Sequence, residues 1–468
     1  MAIIGAFAVP HPPLIIPGVA DGRERGIAAT VAAYEEVGRR IAELAPDTIV
    51  ISSPHATLYR DYFHISPGVS AQGNFAQFGA PQAAYRVRYD TKLVATIVAA
   101  CEEEGIDAGT GYERDARLDH GTMIPVHFIQ KHLGGREVPI VRIGLSGFSA
   151  EEHYRLGMQV QRAARELGRR VVYVASGDLA HKLLAEGPYG YAKEGPIFDR
   201  LVTQAFASGD LLTLLTVDPS LAERAAECGL RSFQMMAGAL DGTAIKAELL
   251  SYEGPFGVGY GVAAFAPVGE EGADDTRKLL PRYETWRAAD LLRRKENEDP
   301  YVRLARASLE AYVRDGVCIH LPDGLPRELL ETRAGCFVSL KVDGQLRGCI
   351  GTIEPTRASL AEEICANARS AGTRDPRFSA VREWELDDLV YDVDVLTPPE
   401  PVLSAAELDP VRYGVIVSCA DGRRGLLLPD LDGVDSVDKQ LRIAAQKGHI
   451  SLDDDDVRLE RFEVVRHL

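Results

Sequence analysis

The sequence contains no Cys-x-x-Cys pair, no internal repeat and no low-complexity tract. No apolar run approaches the roughly 20 residues needed to span a bilayer, so membrane-spanning helices are not expected. Positive charge is in short supply: 52 Lys and Arg stand against 69 Asp and Glu, for a formal net charge of -17. A general nucleic-acid binder needs a basic face to neutralise phosphates, and this balance excludes one. It argues equally against an anionic membrane surface as partner, although a small local basic pocket remains compatible. The start, Met-Ala-Ile-Ile-Gly-Ala-Phe-Ala-Val-Pro-His, lacks a basic region and reaches a histidine too soon for a secretory signal. The seven cysteines (Cys101, Cys228, Cys318, Cys336, Cys349, Cys365 and Cys419) are odd in number and scattered. Reduced structural thiols and a cytoplasmic location are the expectation.

What is present is enough apolar residue to build cores: 46 % apolar against 26 % charged. At about 100–200 residues per domain, 468 residues predict two domains or more. In the first part, apolar runs of strand length alternate with helical patterns. Strands are expected at 2–9, 48–52, 138–145, 170–175, 245–252 and 257–265, and helices at 26–44, 92–104, 150–167, 198–207 and 230–240. That alternation predicts an α/β fold with helices layered on a central sheet. Residues 268–299 read as a linker, exposed in its first half and helical in its second. From residue 300 the pattern becomes α+β, with an Asp421-Gly422 turn joining strands at 413–418 and 424–428. The expected domains are therefore 1–267 and a smaller one at 300–468. The acidic run 453–456 reads as a solvated loop.

Eight of the eleven histidines lie at or before residue 181. His11 follows the first strand directly, His55 follows the strand 48–52, and His181 follows the strand 170–175 after a short turn. In an open α/β sheet, ligands bind beyond the carboxyl ends of parallel strands. If the three strands are parallel neighbours, the three imidazoles converge, and converging imidazoles suit a divalent transition metal. A lone strand-end histidine is more often a loop residue bonded to backbone; the shared context of three points to a site. A third ligand is open between Glu227, Glu253 and the softer Cys228. Glu227 just before a helix has an ordinary alternative, favouring the helix dipole. His120, in Leu118-Asp-His-Gly-Thr, is a candidate for hydrogen bonding to substrate, or else part of a capped turn. His153, in a polar helix, is expected to face solvent, and His127 and His132 to be structural.

These residues carry a resemblance. His11-Pro-Pro, Pro54-His55, Leu118-Asp-His-Gly-Thr, Ser176-Gly-Asp-Leu-Ala-His181 and Ala-Glu227-Cys-Gly-Leu-Arg-Ser resemble the class III extradiol ring-cleavage dioxygenase superfamily, to which Memo-like proteins also belong. The resemblance implies a non-haem Fe(II) on His11, His55 and Glu227, or another divalent metal in its place. It implies an acid/base role for His181, a substrate-side role for His120, and a small aromatic diol as substrate. Memo-like members depart from the dioxygenase ligand set.

The second part carries Leu346-Arg347-Gly348-Cys349-Ile350-Gly351-Thr352, Asp375-Pro-Arg-Phe and Gly425-Leu-Leu-Leu-Pro. These resemble the AMMECR-type domain, and the whole chain is similar to fused components of the AmmeMemoRadiSam system. That name implies a radical SAM protein as partner. Arg347, Cys349 and Thr352 are candidates to line a pocket at a glycine-permitted close approach, with the Cys349 thiol acidified by Arg347. A glycine-kinked strand with an inert cysteine is the plain alternative. Three functions follow: an extradiol-type dioxygenase, a Memo-like metal- or partner-binding module, and an auxiliary component of a radical SAM pathway. A homo-oligomer is compatible with each.

Overall fold

Runs rich in Val, Ile and Ala, each too short for a stable helix, become strands buried on both faces. These are β1 (Ile3–Val9), β2 (Thr48–Ser53), β3 (Ile140–Gly144) and β4 (Val171–Ser176), and all but one of their residues are buried. Two longer strands follow, β5 (Ile245–Glu253) and β6 (Tyr260–Pro267). In the computed structural model they form one six-stranded sheet in the order β3-β2-β4-β1-β6-β5. The first four are parallel; β6 runs antiparallel to β1 and β5 antiparallel to β6. Continuous burial is what a parallel sheet covered on both sides requires.

The structure describes every residue except 20–21, 270–272, 432, 435 and 454–455. Residues 270–272 of the expected linker and 454–455 of the acidic run therefore lie outside the described residues. The chain divides into two compact units, Met1–Arg287 and Ala288–Leu468.

In the first unit, helices α1 (Ala28–Leu44), α2 (Thr91–Glu103), α3 (His120–His132), α4 (Ala150–Glu166), α5 (Glu194–Ser208) and α6 (Leu230–Ala239) cover the sheet. Successive strand side chains point to opposite faces, so two cores form. Phe7, Val9, Ile49, Ile51, Val172 and Val174 pack with residues of α1 and α3. Ala6, Ala8, Val50, Val171, Tyr173 and Ala175 pack with residues of α2, α4, α5 and α6. Leu279 and Tyr283, from the helix Leu279–Asn297, join the second of these cores.

His153 corrects an expectation. The polar composition of α4 predicts a solvent-facing ring, yet His153 is wholly buried. It lies on the buried stripe with Leu156, Gly157 and Val160, at helical spacing. Its Nδ1 meets the Ser149 carbonyl at 2.8 Å and the Ser146 N–H donates to its Nε2 at 3.4 Å. The ring packs edge-on against Phe63. The charged residues of α4 occupy the other side of the helix.

The second unit is α+β. Asp299 caps the helix Pro300–Asp315 by accepting the N–H groups of Tyr301 and Val302, with Pro300 at the first helical position. That helix and Leu360–Thr373 pack on an antiparallel sheet of Gln345–Gly351, Cys336–Val342, Val390–Leu396 and Val464–His467. A second sheet orders Glu400–Val402, Arg458–Phe462, Gly414–Ser418 and Arg424–Leu427, with the helix Val437–Lys447 against it. Gly422 turns the hairpin at φ 89°. Among the described residues, no helix is long and apolar enough to cross a membrane.

Candidate metal centre

The strands β1, β4 and β2 are parallel neighbours, and their carboxyl ends bring His11, Asp178 and His55 to one edge of the sheet. Hydrogen bonds fix each exit. The Gly177 N–H reaches the Val9 carbonyl at 2.9 Å, the Tyr34 hydroxyl donates to the Pro10 carbonyl, and the His11 N–H donates to Asp178 Oδ1 at 2.7 Å. Cys228 comes from the segment before α6. A Cβ on Gly177 would lie 2.1 Å from the Gly229 Cα, so only glycine lets the two backbones approach this closely. That approach sets the Asp178 N–H 3.3 Å from Cys228 Sγ.

Among the described residues two groups of metal-capable donors result, each with its atoms within 4.8 Å of one another: His11, His55 and His120, and His11, Asp178 and Cys228. They share His11. His11 Nε2 lies 3.0 Å from His55 Nε2 and 3.5 Å from Cys228 Sγ, with Asp178 Oδ2 at 3.9 Å. The His120 ring centroid is 4.0 Å from that of His55 and 5.3 Å, edge-on, from that of Phe78. Asp119 does not orient His120. Its carboxylate caps α3 through the Thr122 N–H and hydroxyl and accepts the Ser53 hydroxyl at 2.6 Å. The buried Arg142 guanidinium, 3.6 Å away, completes its surroundings.

Burial sets the charge states. It holds His11 well below the ordinary histidine range, an effect that His55 reinforces. Burial lowers His55, and lowers His120 to about 3 with help from the neighbouring imidazoles. All three are therefore neutral near pH 7, the form that ligates a metal. Burial pushes Asp178 up to about 6 and the Cys228 thiol well above its usual value.

His181 lies beside this cluster. Its backbone N–H donates to the Ala225 carbonyl, its ring stacks on Tyr189 at 5.0 Å, and its buried Nε2 has no partner among the described residues. Burial lowers its pKa, so the ring is neutral and open to a proton. Glu227 belongs to neither donor group. Its Oε2 accepts the Leu230 N–H at 2.6 Å at the start of α6, and burial raises it to about 7. Glu253 lies elsewhere, accepting the Thr30 N–H and hydroxyl, both at 2.7 Å. His127 meets Tyr85 and His132 meets Glu35, as structural residues.

In the second unit, Arg347, Cys349 and Thr352 are held by separate partners rather than by one another. Arg347 pairs with Glu385 at 2.6 and 3.1 Å, while Thr352 donates to Glu363 at 2.8 Å. The expected acidification of Cys349 is also corrected. Burial raises the thiol, and the cation beside it is Arg377, itself paired with Asp375. Gly348 does serve a close approach, because a Cβ there would lie 2.3 Å from the Ala371 carbonyl oxygen.

Residues 5–263, more than half of the chain, match the family of the catalytic LigB subunit of aromatic ring-opening dioxygenase. The chain belongs to the LigB family. Residues 302–467 of this LigB-family chain match AMMECR1. The likeness to a protein of Clostridium acetobutylicum runs through both: 40 % identity over 476 residues, covering 100 % of this chain and 99 % of that one. A Thermotoga maritima protein is 55 % identical over 171 residues, 36 % of this chain and 98 % of its own length. Among solved structures, an uncharacterised Pyrococcus horikoshii protein matches 36 % of this chain and 88 % of its own, at 32 % identity and a TM-score of 0.34. An uncharacterised Escherichia coli K12 protein matches 56 % of this chain and 99 % of its own, at 15 % identity and a TM-score of 0.37.

Proposed function

We propose that the first unit is a non-haem iron centre of the ring-opening dioxygenase type, acting on a small aromatic diol. The observation that carries this is the pair of neutral imidazoles with Nε2 atoms 3.0 Å apart at adjacent strand exits. Ligands bonded at about 2.0–2.1 Å and at right angles to each other stand about 3 Å apart, so the pair fits one ion. Asp178 and Cys228, grouped with His11 rather than with His55, are the candidate carboxylate and sulfur donors beside this pair. The Glu227 carboxylate is engaged at its own helix terminus and is left out of this set.

Bound iron would bring diol and dioxygen side by side and make the diol easier to deprotonate. The protein's own part is proton handling and orientation. His181 Nε2, without a partner among the described residues, is an acceptor for a substrate proton. His120, packed against His55 and Phe78, presents a neutral imidazole to the substrate.

The Cys228 thiol supports a second reading, a Memo-like metal- or partner-binding module without ring cleavage. A soft sulfur donor suits metal retention as well as turnover. Oxygen uptake by the iron-loaded protein with a panel of catechols separates the two. Uptake with ring-opened product supports the dioxygenase; bound iron with no uptake across the panel supports the module.

A further inference from the structure

We propose that Pro125, Gly121 and Ser176 form a relay that fixes the His11 tautomer with the proton on Nδ1 and the lone pair on Nε2. Ser176 is then a positioning residue for the metal centre proposed above, and the inference rests on that reading for its purpose.

In an α-helix the carbonyl of residue i accepts the N–H of residue i+4. For Gly121, in the first turn of α3, that residue is Pro125, which has no N–H. The Gly121 carbonyl oxygen is met instead by the Ser176 hydroxyl, from the last residue of β4, at 2.6 Å. A carbonyl oxygen only accepts, so the single hydroxyl proton lies on that bond. Ser176 Oγ is also 3.1 Å from His11 Nδ1. With its proton committed to Gly121, the hydroxyl oxygen accepts here, and Nδ1 is the donor. A ligating imidazole is the neutral form, with one ring proton. A neutral imidazole with its proton on Nδ1 has a bare Nε2. That bare nitrogen is the atom facing His55 Nε2 and Cys228 Sγ.

The surroundings make the relay specific. Ser176 is wholly buried and His11 is 2 % exposed, so water does not compete for either bond. The contact also links three segments of the site: the exit of β1, the end of β4 and the first turn of α3, which carries His120. The other tautomer would point an N–H into the cluster and block the ion. Partners of this kind, one bond behind a ligating histidine, typically change metal affinity by about 10–100-fold when removed.

The test reads the tautomer and the metal separately. Metal-free protein with 15N-labelled histidine is examined above pH 7.5 by long-range 15N–1H correlation. Wild-type His11 is expected to show the Nδ1–H pattern. Ser176→Ala is expected to lose that pattern and to bind Zn2+ about 10–100-fold more weakly in competition titration, with Ser176→Thr restoring both. A merely structural role for Ser176 would lower the melting temperature and leave the tautomer alone, which would overturn the relay. A wild-type His11 protonated on Nε2 would overturn it too, and that spectrum decides even where Ser176→Ala does not fold. Wild-type protein with the Nδ1–H pattern that binds no Zn2+ would uphold the relay and sink the metal reading.

Discussion

Protonation at single residues governs what the centre can hold. Asp178 is displaced upward to about 6, so it is ionised above that pH and protonated below it. His11, His55 and His120 are displaced downward, so they lose their proton more readily than ordinary histidines. Metal affinity is therefore expected to fall as pH drops through 6, with the carboxylate as the cause, and a titration series from pH 8 to 5 measures it. Affinity that stays flat to pH 5 would remove Asp178 from the ligand set. Cys228 gives a second prediction. Its thiol is protonated at pH 7.5, so binding through sulfur releases about one proton, whereas three neutral imidazoles release none. Calorimetry in buffers of different ionisation enthalpy counts that proton, and Cys228→Ser should abolish it. His181→Ala should keep the metal and cut turnover by about 10²–10⁴-fold; loss of metal in that variant would contradict its role. His11, His55 and His181 were legible in the sequence because each follows a strand exit. Asp178 sat unnoticed inside the quoted Ser-Gly-Asp-Leu-Ala-His stretch. Its signal is weak: it becomes a neighbour of His11 through the pairing of β1 with β4, whose exits are tied by the Gly177 N–H on the Val9 carbonyl and the His11 N–H on Asp178.

Elements position these groups through two unusual contacts. The first is the approach of Gly177 to Gly229. Gly177→Ala places a methyl within the other backbone and is expected to cost about 1–3 kcal/mol as well as separating Cys228 from Asp178. A denaturant melt measures the first effect and a metal titration the second. The other contact is Pro125 within α3. Pro125→Ala returns an N–H to Gly121 and removes a poor helix former, worth up to about 3 kcal/mol. Stability should rise while Zn2+ affinity falls, opposite signs that ordinary damage to the fold does not produce. Elements of regular apolar pattern, such as β1, β2, β4 and α1, were legible in the sequence. The strands Arg458–Phe462 and Val464–His467 were not. Their charges mask the pattern and are satisfied across strands, with Arg461 on Glu400, Arg424 on Glu460 and Arg466 on Asp394.

The whole chain joins a LigB-family unit to an AMMECR1 unit, each with its own core. A ligand that binds only the native state stabilises it by about 2.7 kcal/mol at a hundred times its Kd. Calorimetry with and without Zn2+ should therefore show one transition rising and another unmoved, and His11→Ala should remove the shift. The measurement that bears most directly on the central claim is the metal content of anaerobically purified protein, wild type beside the His11→Ala/His55→Ala double variant. Near-stoichiometric iron in the wild type, absent from the double variant, is the predicted result. A wild type that holds no metal even when Fe(II) is offered would contradict the account and leave a LigB fold without its centre.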